Sequence, residues 1–203
     1  MSEQDKTLLE DGWSRLQHET GERCRYIYVL RGSRRRKRLS VREFQIVYLT
    51  ALGLASKEVA AELGLAPTSI RATSVTALRK LGLSSCTQVP AFWHVLGKTP
   101  TLVDRYQAEL TVFHAELEPY ELPVLTSAER ALLLHVVSGD SNPTIAARRG
   151  TSRRTVANQL AKLFGKYRVS SRVELAARAL RVETSCKHDQ WLGMPTSREA
   201  KAG

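Results

Sequence analysis

The stretch Leu52–Ser85, LGLASKEVAAELGLAPTSIRATSVTALRKLGLSS, decides the fold. A stretch of the same shape returns without a gap at Ser138–Ser171, SGDSNPTIAARRGTSRRTVANQLAKLFGKYRVSS. The offset is 86 positions, the distance from Gly53 to Gly139 and from Gly64 to Gly150. Extended outward, Leu39–Val89 lies on Leu125–Leu175, with Glu43/Glu129, Ala60/Ala146, Lys80/Lys166 and Ser84/Ser170 among the identities. Identity is modest, but it falls on caps and core points, and an internal repeat has to be explained before a fold is named.

Each unit reads as four short helices. Ser40-x-x-Glu43 and Thr126-x-x-Glu129 are capping boxes that open the first helix. In such a box the hydroxyl and the carboxylate each satisfy an orphan backbone N–H. Phe44, Val47, Tyr48 and Ala51 give the first helix its apolar face, and Gly53 or Gly139 stands where a left-handed residue ends it. The second helix starts at Ser56, and in the second unit at Asn142 with Pro143 at its first position. Val59 and Ile145 are its matching core residues, and Gly64 or Gly150 closes it. The third helix begins at Ala66-Pro67 or Ser152. Its apolar positions are Ile70, Ala77, Leu78 and Leu81 in one unit and Val156, Leu160, Leu163, Phe164 and Tyr167 in the other, at helical spacing. A fourth helix starts near Ser84-Ser85 and near Ser170-Ser171, where Glu174 forms a further capping box. A tight turn between the second and third helices makes a helix-turn-helix, which leaves the third helix shaped for a major groove.

At these residues the chain resembles the LuxR-type helix-turn-helix family, also called the NarL/FixJ or GerE type. The first copy is LSVREFQIVYLTALGLASKEVAAELGLAPTSIRATSVTALRKLGLSS, and the second, more divergent, is LTSAERALLLHVVSGDSNPTIAARRGTSRRTVANQLAKLFGKYRVSSR. The resemblance implies a mainly α protein with two tandem four-helix LuxR-type units that binds double-stranded DNA and regulates transcription. It also places groove-facing residues on the third helix: Arg71, Ala72 and Val75 in the first unit, Arg154, Asn158 and Lys162 in the second. Arg pairs bidentately with guanine, and Asn or Gln with adenine. The family's usual lysine position and the often basic position four residues on fall on Arg71 and Val75 in one unit and on Ala157 and Ala161 in the other. Gln159 either joins the reading face or turns inward. Arg149 stands where the family has a core leucine, Thr151 where it has isoleucine, and Gly165 weakens the helix. The second unit therefore either reads bases or is a degenerate copy kept for packing.

Charge agrees with a polyanion partner. The net charge is +11, and residues 125–182 hold eleven basic and three acidic side chains, whereas residues 97–124 hold two and five. Neutralising phosphates with such cations releases condensed counterions. Lys57, Thr68 and Ser69, with Arg153, Arg154 and Thr155, lie at helix N-termini that favour phosphate. The run Arg34, Arg35, Arg36, Lys37 and Arg38 is either a soluble linker or an arm tracking the backbone or minor groove.

The units divide the chain into a segment 1–38 that ends in the basic arm 34–38, a first unit 39–96, a connector 97–124, a second unit 125–182 and a tail 183–203 expected to be flexible, with Trp191 its one large apolar residue. CRYIYVLR, residues 24–31, reads as a strand. Its partner is ELTVFHAEL, residues 109–117, so a small β element formed by 24–31 and 109–117 is expected. Leu102, Tyr106, Leu110, Phe113 and Leu117 also keep helical spacing, which leaves a helix open there. In the family the fourth helix commonly forms the dimer contact. That assigns Val89, Phe92, Trp93, Leu96, Leu175, Ala179 and Leu180 as interface candidates, either in a homodimer or in a pseudo-dimer within one chain. The other reading is that Phe92 and Trp93 pack on their own unit.

Several classes find no support. No apolar run approaches the roughly 18 residues of a membrane span, and MSEQDKTLLEDGWSRLQ is too charged for a secretory signal. Cys24, Cys86 and Cys186 are distant and odd in number, which is reduced, cytoplasmic usage. The five histidines are scattered, with no metal-ligand spacing, no catalytic constellation and no P-loop. The expectation is a chain without cofactor or metal and without enzymatic activity. Two functions stand: a sequence-specific regulator using both units, or an interaction module docking on RNA polymerase with only non-specific DNA contact. The missing cations at Val75, Ala157 and Ala161 speak for the second.

Overall fold

The computed structural model describes residues 39–96 and 123–180 with their side chains, and the backbone of four strands at 12–20, 23–31, 101–105 and 108–117. The arm 34–38 and the tail 183–203, including Trp191, lie outside the described residues.

The strands are β1 (Gly12–Thr20), β2 (Arg23–Arg31), β3 (Thr101–Arg105) and β4 (Ala108–Leu117). Residues 109–117, which fit either period in the sequence, run as strand β4 and pair with β2. Each is the inner member of an antiparallel hairpin, giving the order β1-β2-β4-β3. Neither β1 nor β3 is among the sequence expectations.

The helices are α1 (Val41–Ala51), α2 (Ser56–Glu62), α3 (Pro67–Lys80), α4 (Val89–Leu96), α5 (Ser127–Val137), α6 (Asn142–Arg148), α7 (Arg153–Tyr167) and α8 (Arg172–Ala179). Both first-helix capping boxes form: Ser40 and Thr126 accept from Glu43 N and Glu129 N, while the two carboxylates accept from the cap N–H groups at 2.6 and 2.9 Å. The second helix α2 begins at Ser56 as expected, after an Ala55 cap served only by the Glu58 carboxylate, at 2.6 Å. In the second unit one cap differs from the sequence reading. Ser141, not Asn142, caps α6, so Pro143 sits one position further in. A serine hydroxyl reaches the third N–H of the helix, so the residue whose reach fits takes the cap. Glu174 also departs from a closed box. Its N–H donates to Ser171, but its carboxylate accepts from Ser170 N, one residue earlier.

One apolar cluster contains the core residues of both units, from Phe44, Ile70 and Phe92 to Leu133, Ile145 and Leu175. Helix α4 packs on α8 and lies against β2 and β4. The relation between the halves is a pseudo-twofold, visible as exchanged contacts between equivalent positions. In the sheet, Cys24 pairs with Leu117 and Arg31 with Leu110, each residue meeting the counterpart of the other at the 86-residue offset. In the helical layer, Gly53 meets the start of α8, and its counterpart Gly139 meets the turn before α4. A Cβ on Gly53 would stand 3.0 Å from Ala177 Cβ and 3.2 Å from Glu174 Cα. A Cβ on Gly139 would stand 2.5 Å from Gln88 Cγ. Gln88 and Glu174 are themselves counterparts. Such reciprocity is the signature of an isologous, twofold interface, here within one chain.

Candidate nucleic-acid interface

The surface of interest is made by α3 and α7. Both helices are amphipathic, with Ile70, Ala77 and Leu78 buried in α3, and Val156, Leu160, Leu163 and Tyr167 buried in α7. Neither contains an acidic residue. Each is tied down at its C-terminal end by a lysine reaching the capping glutamate of the first helix. Lys80 Nζ lies 2.6 Å from Glu43 and Lys166 Nζ 2.7 Å from Glu129. The Lys166 hydrogen bond, with help from Thr126, holds the Glu129 carboxyl at about 2. For Glu43 burial pushes upward, but Lys80 and the Ser40 N–H outweigh it and the carboxyl stays below its ordinary value. The same lysine–glutamate pair thus joins the third helix to the first in both units.

On that face the sequence-assigned residues stand in solvent. Arg71, Ala72 and Val75 are exposed on α3, with Thr68 and Ser69 exposed in its first turn and Lys57 exposed on α2. Arg154, Asn158 and Lys162 are exposed on α7, with Arg153 and Thr155 in its first turn. Among the described residues, Arg71, Arg153, Arg154, Asn158 and Lys162 make no side-chain hydrogen bond or ion pair. Thr155 donates its N–H to the Ser152 cap and its hydroxyl meets that of Ser152 at 2.9 Å. Arg34, Arg35, Arg36, Lys37 and Arg38 lie outside the described residues.

Gln159 turns inward. Its Oε1 accepts from Arg149 Nη1 at 2.9 Å, and Arg149 Nη2 also reaches the Ala128 carbonyl at 3.4 Å. The half-buried arginine at a leucine position is thereby satisfied, which a buried guanidinium requires. The backbone of α7 passes Gly165 without a break.

The interface candidates separate by role. Val89, Phe92, Leu96, Leu175, Ala179 and Leu180 are buried in the common core, where α4 meets α8. Trp93 instead packs on its own unit, its ring centroid 5.5 Å from that of Tyr48 and 6.0 Å from that of Phe44. Sequence reasoning missed the residue that stitches the halves together. The Gln88 amide donates to the Ser138 carbonyl at 2.9 Å, while its Oε1 accepts from Ser84 N and Ser85 N. Its equivalence to Glu174, at the start of the other fourth helix, is the only signal the sequence offers.

No helix among the described residues is long and apolar enough to cross a membrane, and none of their His, Cys, Asp and Glu side chains cluster in a way that could hold a metal ion. The family model described as bacterial regulatory proteins, luxR family, matches the chain twice, at residues 37–92 and 123–179. No curated protein and no solved structure matches it.

Proposed function

The chain belongs to the luxR family of bacterial regulatory proteins, and on that premise we propose that it is a sequence-specific regulator of transcription that binds double-stranded DNA through both helix-turn-helix units of one chain. Units 39–96 and 125–182 are the two readers, joined by the connector 97–124. Arg71, Ala72 and Val75 on α3, and Arg154, Asn158 and Lys162 on α7, face bases. Lys57, Thr68, Ser69, Arg153 and Thr155, with the arm Arg34–Arg38, hold phosphates. The protein works in the cytoplasm, where the DNA is.

The observation that carries this reading is the pseudo-twofold. A twofold in a DNA-binding protein is matched by inverted half-sites in its operator. The exchanged pairs Gly53–Glu174 and Gly139–Gln88, and the sheet register centred on Ile27 and Tyr28, support the reading, because a twofold that exchanges the two units also exchanges α3 with α7. Surfaces that a homodimer would use are occupied inside the chain, so one chain per operator suffices.

The test is selection from random duplex DNA with the full chain, followed by anisotropy titrations at two salt concentrations. The expected result is two inverted half-sites at a fixed spacing, one chain per duplex, and affinity that falls steeply with salt. Arg71→Ala and Arg154→Ala each weaken specific binding by about 1–3 kcal/mol. A single half-site would remove the second unit from the reading. No enriched site, together with binding to RNA polymerase that survives both substitutions, would replace the whole proposal.

A further inference from the structure

Exposed apolar side chains scattered singly are ordinary on any protein and by themselves mean nothing. Three large ones stand out among the described residues: Val41, Val75 and Val124. Val41 is the first residue of α1, and Val124 precedes the cap of α5. Val75 alone lies on a third helix, where it is 65% exposed in the middle of the outward face. Arg71 is one turn before it and Arg79 one turn after, both exposed, and Ala72 lies three residues before on the same face. The helix is free of acidic residues. The face is therefore an apolar methyl pair set between cations, a chemistry that fits a polyanion carrying an apolar group at a fixed place.

Duplex DNA offers one such group in the major groove, the C5-methyl of thymine, and apolar side chains read it by contact. The counterpart of Val75 on α7 is Ala161, exposed but two methyl groups smaller. The next exposed position after it is Lys162, whose counterpart Thr76 is half-buried and hydrogen-bonded to the Ala72 carbonyl at 3.4 Å. The outward faces thus differ where they should be equivalent under the pseudo-twofold.

We propose that Val75 is a specificity-determining residue that reads a thymine methyl group in the half-site bound by the first unit, and that the second half-site lacks this contact, so the operator is not palindromic. The inference rests on the DNA-reading function above. Val75 is 65% exposed and stands outside the apolar core cluster, so Val75→Ser leaves the fold intact, which thermal unfolding checks.

The experiment uses the full chain and the duplex recovered by selection. Each thymine is replaced singly by deoxyuridine, which removes only the methyl. Anisotropy titrations follow with the wild type, Val75→Ser and Arg71→Ala, the last identifying the half-site read by α3 through its relaxed preference. The expected result is one position in that half-site where deoxyuridine weakens wild-type binding about threefold to tenfold, the scale of one buried methyl or methylene group. The same replacement changes binding by Val75→Ser less than twofold. Specific binding with no deoxyuridine effect, or an effect that persists in Val75→Ser, overturns the inference and leaves the proposed function standing. A perfectly palindromic optimum overturns it equally. Binding without any sequence preference would remove the function and this contact together.

Discussion

The two helical units share one backbone plan and solve the same packing problem with opposite chemistry. Where the first unit places Leu49, Leu54 and Cys86, the second places His135, Asp140 and Arg172. The apolar trio joins or lines the core. The polar trio forms a network: His135 Nδ1 lies 2.8 Å from the Asp140 carboxylate, Arg148 adds a contact at 2.9 Å, and Arg172 donates to the Asp140 carbonyl and to Asn142 Oδ1. Burial pushes the Arg172 guanidinium down from its ordinary value, which Asp140 partly offsets. A polar network gives a unit no more stability than an apolar one, but it makes each member indispensable to the others. The second unit, with a net charge of +8, thus uses part of its cationic set on internal contacts to Asp140 and Asn142.

That contrast can be broken at its centre. Asp140→Ala leaves His135 and Arg148 without their carboxylate and removes the negative charge that offsets the burial of Arg172, and urea unfolding should show a loss of about 1–3 kcal/mol. Transplanting the first unit's residues together, His135→Leu with Asp140→Leu and Arg172→Cys, should cost less than the single change. A triple variant less stable than Asp140→Ala would mean the network is not the isolated charge system described above.

The junction between the units comes next. Gly139→Ala forces a side chain into φ +85° and onto Gln88, and should cost about 2 kcal/mol. Gln88→Ala should recover part of that loss in a double-mutant cycle, because it vacates the space. Additive losses would argue that only the backbone conformation matters.

A smaller effect, of opposite sign, separates the ends of α3 and α7. Gly82 takes φ +67° after α3, whereas its counterpart Arg168 is held at φ +53° after α7. Left-handed conformation costs a side chain about 1–2 kcal/mol, less what glycine loses in unfolded freedom. Arg168→Gly should stabilise by about 0.5–1 kcal/mol and raise the thermal midpoint by a few degrees. A lower midpoint would show that the Arg168 side chain contributes more than the strain removes.

The smallest effect is in acid. The folded Glu129 carboxyl, at about 2, lies below its ordinary 4.5, so its contribution is complete above that value and is lost as pH falls toward about 2. The stability gap between wild type and Glu129→Gln should close across that window, and stay constant from there to neutrality. The pair is partly exposed, which keeps the gap small. A gap that persists below pH 2 would assign it to the cap hydrogen bonds alone.

Much of the fold is local and was therefore legible. The first-helix capping boxes, the glycines at Gly53, Gly64, Gly139 and Gly150, and the 3.6-residue spacing of Ile70, Ala77 and Leu81 act within a few residues of each other, and these sit as expected. The exposed faces of α3 and α7 follow from the same periodicity. The sequence could not decide between strand and helix for residues 109–117, because both periods fit and only pairing with β2 selects one. The cap at Ser141 was missed for a related reason: Ser141 and Asn142 are both good caps, and a single hydrogen bond from Thr144 N settles it.

The sequence by itself determined two LuxR-type units, where the first three helices of each begin, and which residues lie outward on the third helix of each; α4 starts at Val89 rather than near Ser84-Ser85. Only the tertiary structure decided how the two units meet. Gly53 is legible as a helix stop, but its approach to Ala177 depends on residues more than a hundred positions away. Gln88 looks like an ordinary polar residue until its amide reaches Ser138. His135, Asp140, Arg148 and Arg172 are unremarkable charges along the chain and become a network only when α5, α6 and α8 close around them. Short-range hydrogen bonding and helical period are written in adjacent residues, whereas the pairing of surfaces depends on shape and burial that exist only after the chain has folded.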